Sequence, residues 1–159
     1  MAQLVEHHLA KVGVAGSNPV VRSVMDLKLE LLPVPVTDVH RAKAFYADKL
    51  GFVVDVDNRP MEGIRVVQLT PPGSACSIMV GTGITRSEPG SLQGPQLVVD
   101  DIEAAREELA SRGVDVSAVR HFEEQGLVDG KGGRWNSFVF FSDPDGNGWV
   151  LQERPGPDD

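Results

Sequence analysis

"LLPVPVTDVHRAKAFYADKLGFVV", Leu31 to Val54, reads as an apolar strand, a helix opened by Asp38 and closed by Gly51, and the start of another strand. "PQLVVDDIEAAREELASRGVDV", Pro95 to Val116, says the same thing again. Asp38 and Asp101 lie 63 positions apart, and Gly51 and Gly113 follow them by 13 and 12 residues. Aspartate opens a helix because its carboxylate accepts from free N–H groups of the first turn, and glycine closes one because it reaches positive φ without penalty. A unit repeated at this distance predicts a small module that is duplicated and paired, with a cleft between its halves.

Outward from these stretches, each module completes the order β-α-β-β-β. In the first, residues 27–34 are expected as a strand whose later part, holding Pro33 and Pro35, sits at a sheet edge or leaves the sheet. Val39, Ala42, Phe45, Tyr46 and Leu50 share one helix face. "FVVDV" (52–56), "IRVVQLT" (64–70) and "CSIMV" (76–80) follow as strands, separated by turns at "DNRPMEG" and "PPGSA". In the second, the strand "PQLVV" (95–99) leads into a helix over 101–111, where Asp100 and Glu103 form a D-x-x-E capping pattern and Ile102, Ala105 and Leu109 supply the buried face. "VDVSAV" (114–119), "SFVFF" (137–141) and "GWVLQE" (148–153) are its strands, with a turn at "DPDGNG". The fold class is α+β, with modules over 26–82 and 93–155 inside one domain of residues 25–155, followed by a tail at 156–159. One connection is long, "RHFEEQGLVDGKGGRWN" from Arg120 to Asn136; its four glycines predict flexibility, as a lid, a binding loop or a disordered segment.

A chain of 159 residues is long enough to bury a core without disulfides or a structural metal. Its single cysteine, Cys76, fits a reducing cytosol, so a cytoplasmic location is expected. No apolar run reaches the roughly 18 residues of a membrane helix. Fifteen basic against 23 acidic residues give a net charge of -8, which disfavours nucleic acid and anionic membranes and favours neutral or cationic small molecules. Residues 1–24, "MAQLVEHHLAKVGVAGSNPVVRSV", lie outside the repeat and lack the unbroken apolar core of a signal peptide. They resemble the translation of a tRNA gene, which points to Met25 as the natural start and removes His7 and His8 from the domain.

Three stretches carry a family resemblance: D-x-x-R-A-x-x-F-Y-x-x-x-L-G-F from Asp38 to Phe52, "VDDIEAA" from Val99 to Ala105, and "FSDPDGNGWVLQE" from Phe141 to Glu153. Together they resemble the glyoxalase / bleomycin-resistance / extradiol-dioxygenase superfamily, also called vicinal oxygen chelate. The resemblance implies two βαβββ modules whose curved mixed sheets enclose a central cleft, commonly in a homodimer. It also implies, for metal-dependent members, four ligand positions holding His, Glu or Gln, suited to Zn, Ni, Fe or Mn. Here three of those positions read as Leu31, Gly94 and Val150, and the fourth falls in Ala75–Gly83, which has no carboxylate or histidine. No cofactor is therefore expected.

What remains for the cleft is Gln68, Gln96, Gln152 and Trp135, amides and an indole suited to an organic ligand of mixed polarity. Trp149 and the Phe138–Phe141 run are expected in the core or a dimer contact. His121, beside Glu123 and Glu124, is the histidine best placed to act as a general base. His40 sits on the polar side of its helix, and Cys76 reads as an inert thiol. Three functions follow: metal-free binding of a small molecule, with antibiotic sequestration among its forms; a glyoxalase-type lyase, isomerase or dioxygenase using shifted ligands such as His121, Gln96 and Glu153; or a dimeric interaction module.

Overall fold

The computed structural model describes residues 25–158; the expectations about residues 1–24 lie outside them. The first module consists of β1 (Leu31–Pro33), α1 (Val39–Ala44) running on into a π-helical turn (Phe45–Lys49), β2 (Val53–Met61), β3 (Ile64–Thr70) and β4 (Ser77–Gly81). The second consists of β5 (Gln93–Val99), α2 (Ile102–Ser111), β6 (Arg120–Glu123), β7 (Gly126–Asp129), β8 (Phe138–Ser142) and β9 (Gly148–Glu153). The strands form two mixed sheets, ordered β1-β4-β3-β2 and β5-β9-β8-β6-β7. In each, the first strand of the module runs parallel to the last, while the other pairs are antiparallel.

The helix caps follow the chemistry of their residues. Asp38 accepts from Arg41 N at 3.0 Å and Asp101 from Ala104 N at 3.0 Å, and Gly51 and Gly113 close their helices at φ 78° and 83°. Asp101, rather than Asp100, is the cap of α2; Asp100 instead pairs with Arg154. After Ala44 the widened π turn, with Leu50 N bonding to Phe45 O, accompanies the burial of two adjacent aromatics. Phe45 packs against Phe141 at 6.5 Å and Tyr46 against Trp149 at 5.8 Å, so α1 of the first module is seated on the second module's sheet. Val67, Leu69, Ile78 and Val80 from one sheet, and Val139, Phe141, Trp149 and Leu151 from the other, join them in the core.

Four boundaries differ from the sequence reading. β1 is only three residues long, because the chain before Glu30 pairs with no strand and Leu27 and Leu29 stay exposed. β2 continues into the expected turn at 57–63 as far as Met61, since it is the outer strand and Pro60 needs no partner on its free side. "VDVSAV" makes a single bridge, Val116 to Phe141, because the Ser117 hydroxyl takes the N–H of Phe140 at 2.9 Å in place of a backbone partner. The 120–136 stretch is largely ordered as the β6–β7 hairpin.

Candidate functional site

Residues paired across a sheet share a face, so the registers sort every strand into a core side and an open side. On the first sheet the open side carries Leu31 beside Ser77, Gln68 beside Met79 and Val56, and Thr70 beside Val53. A short polar chain crosses it: Gln68 Nε2 donates to Ser77 Oγ at 3.3 Å, the Ser77 and Thr70 hydroxyls lie 2.6 Å apart, and Thr70 donates to the Asp55 carboxylate. On the second sheet the open side carries Gln96, Val98, Val150, Gln152, Phe138 and Phe140.

The second open side is aromatic. Phe138 contacts Phe122 edge-on at 5.4 Å and Phe140 in a stacked pair at 6.4 Å. Phe138 is only 9 % exposed although it lies outside the core cluster, so its ring is covered beside Phe122 and Phe140 rather than in the interior, while Phe122 stays exposed. A hollow of about 760 Å³ adjoins Phe140 alone of the three, lined also by Gly94, Val116 and Val150.

The Gly130–Asn136 segment frames one end of this face. Trp135, 47 % exposed, has φ 57°, the only positive φ outside glycine among the described residues, and its carbonyl accepts from Gln152 Nε2 at 2.8 Å. A bulky residue in left-handed backbone is costly and persists only where its surroundings hold it. Asn136 supplies that hold, accepting from Phe122 N at 2.8 Å and donating to Phe122 O at 2.9 Å. Of the residues the sequence singled out, Gln96 and Gln152 thus belong to one face, with the Trp135 carbonyl at its end, and Gln68 to the open face of the other sheet. Phe122 and Asn136 carried no signal in sequence, whereas Phe138 and Phe140 could have been separated from Val139 and Phe141 by alternation alone.

His121 is one residue off that face. Its Nδ1 lies 2.8 Å from Gly130 O and its Nε2 3.0 Å from Glu123 Oε1, and both partners accept, so the ring satisfies both only as the imidazolium. The Gly130 carbonyl first, and Glu123 second, hold its pKa above the ordinary histidine value. That makes it a tie across the hairpin, not a free base. Glu153 points to the helix side of β9, accepting from Ile102 N at 2.9 Å and pairing with Lys131 at 3.0 Å. Gln96 is on the opposite side of that sheet, so the shifted ligand set is not assembled.

The family's metal fits this chain poorly. Leu31, Gly94 and Val150 offer no donor, and among the described residues no three of His, Cys, Asp and Glu lie together as a metal ion would require. His40 is exposed, Cys76 Sγ donates to Ser77 O at 3.6 Å, and Trp149 is in the core.

The family model described as Glyoxalase/Bleomycin resistance protein/Dioxygenase superfamily matches residues 28–151. The chain belongs to this superfamily. Among solved structures, this superfamily member is similar to TnmS3, an antibiotic binding protein from Streptomyces sp. CB03234, at 32 % identity and TM-score 0.68, covering 84 % of this chain and all of that one. It is likewise similar to a glyoxalase/bleomycin resistance protein from the same organism at 35 % identity and TM-score 0.63, covering 79 % of this chain and 99 % of the other. A superfamily member from Sphaerobacter thermophilus DSM 20745 matches at 28 % identity and TM-score 0.64, covering 82 % of this chain and all of its own. No curated protein matches the chain. Among the described residues no helix is long and apolar enough to cross a membrane.

Proposed function

We propose that this superfamily member binds a small organic molecule, neutral or cationic, between the open sheet faces of a homodimer in the cytoplasm, without a coordinated metal. Antibiotic sequestration is the form of this function that the likeness to an antibiotic binding protein favours. The observation that carries the reading is the Phe122–Phe138–Phe140 row, rimmed by Gln152 and Trp135 and facing away from the core. Rings held in place by one another offer a ligand apolar contact at little ordering cost, while amides at the edge fix its orientation. The net charge of -8 adds a long-range pull on cations.

Two measurements test the reading. Protein purified without a His tag should contain no stoichiometric transition metal by elemental analysis; a full equivalent of Zn, Ni, Fe or Mn overturns the metal-free assignment. A thermal-shift screen of neutral and cationic antibiotics should find a stabilising ligand, since binding to the folded state raises its stability. Phe138→Ala should then weaken that ligand by about tenfold, the scale of one lost aromatic contact of ~1–1.5 kcal/mol. An unaltered affinity in the folded variant places the ligand elsewhere.

A further inference from the structure

We propose a second ligand site, apart from the Phe122–Phe138–Phe140 row: the hollow of about 790 Å³ between α2, the edge strand β5 and the Pro71–Cys76 turn, which takes a neutral organic molecule of mixed polarity. The argument starts from the duplication. Two copies of a module meet at two junctions, each formed by one module's helix and the other module's turn between its last two strands.

The first junction is full. There α1 meets the Asp143–Asn147 turn: Tyr46 Oη donates to Asp143 Oδ2 at 2.7 Å, Trp149 Nε1 donates to Tyr46 Oη at 2.9 Å, and Asn147 Nδ2 donates to Pro35 O at 2.8 Å. Gly90, at φ 79°, lies so close to this turn that a Cβ would sit 2.1 Å from Asp145 O. Ala42 and Tyr46 are 1 % and 0 % exposed.

The second junction lacks these parts. Stepping 63 positions along the chain turns Ala42 into Ala105, Tyr46 into Leu109 and Lys49 into Arg112, while the turn becomes "PPGSAC". Leucine is shorter than tyrosine and has no hydroxyl to engage a turn. The turn closes on itself instead, Ser74 N donating to Pro71 O at 3.0 Å and Ser74 Oγ to Cys76 O at 3.0 Å. Ala105 and Leu109 remain half-buried, and the space that Tyr46 and Trp149 fill at the first junction stays open here.

The lining specifies the ligand. Phe52, Pro72, Leu97, Leu109 and Phe141 give apolar walls. At the mouth Arg112 pairs with Glu108 and Arg154 with Asp100, so the rim carries two charges of each sign and favours an uncharged molecule over an ion. β5 ends its sheet, leaving alternate backbone N–H and C=O groups on its outer side for a ligand's hydroxyl, amine or carbonyl.

The test uses the whole chain and N-phenyl-1-naphthylamine, a neutral apolar probe. Saturable binding is expected, with methyl NMR shifts at Leu50, Leu97 and Leu109. Leu109→Tyr, which restores the side chain of the full junction, and Ala105→Leu, a smaller filling change, should each weaken the probe at least tenfold while the fold, read by circular dichroism, is kept. No saturable binding, shifts confined to Val56 and Val150 on the open faces, or undiminished affinity in whichever filled variant folds each overturns the proposal. Leu50, Leu97 and Leu109 methyls already covered by a second copy of the chain, and so unresponsive to the probe, overturn it as well.

Discussion

Tyr46 shows how one residue joins the two modules. Its hydroxyl donates to Asp143 and accepts from Trp149 inside the core, and burial first, then the Asp143 carboxylate, drives its pKa so far up that it stays a protonated donor. Tyr46→Phe strands the buried Trp149 N–H and removes one donor from Asp143; a loss of ~1–3 kcal/mol in urea unfolding is expected, the cost of a buried polar group left unpaired. His121 gives a prediction with a sign. Its folded pKa is raised, so its contribution is complete below the ordinary histidine value of about 6.5 and fades as pH rises through the folded value. Denaturation midpoints followed from pH 5 upward should therefore show a decline in the wild type that His121→Gln lacks. A decline that persists unchanged in His121→Gln assigns the effect to other groups.

At the scale of elements, adjacent aspartates before α2 have different jobs. Asp101→Ala removes the cap on Ala104 N and should lower stability by about 1 kcal/mol. Asp100→Ala breaks only an exposed pair with Arg154 and should cost between about 0 and 1 kcal/mol. Equal losses in thermal unfolding would return the cap to Asp100. Sequence named both aspartates without separating their roles, because D-x-x-E and D-x-x-A start one residue apart and only φ and ψ decide which carboxylate reaches the first turn. β3 and β9 were legible to the residue, since their alternation is bounded by turn chemistry on both sides. The β6–β7 hairpin was not: "HFEEQGLVD" has few apolar residues, and its order comes from His121 reaching across the hairpin to the Gly130 carbonyl and from Asn136, beyond it, bonding Phe122. Ser117 is the reverse case, a β-prone stretch displaced from the ladder by its own hydroxyl.

The whole molecule leaves apolar surface on the outward side of both sheets: Val53 and Val56 on one, Val98 and Phe122 on the other, all more than two-fifths exposed. The repeat predicted a cleft between the halves, yet α1 and its aromatics occupy the space between the core-facing sides, so the faces left to hold a ligand point away from one another's core. Two copies brought face to face would cover these side chains and enclose a cavity between polar Asp55–Thr70–Ser77–Gln68 and the phenylalanine row. Sedimentation equilibrium should accordingly give twice the chain mass. Val56→Glu with Phe122→Glu places charges on both faces without touching the core, so the double variant should stay folded by circular dichroism, sediment as a monomer and lose the ligand found by thermal shift. A wild-type chain that sediments as a monomer at millimolar concentration rejects the shared cleft; a double variant that is monomeric yet binds with undiminished affinity puts the site on a single chain.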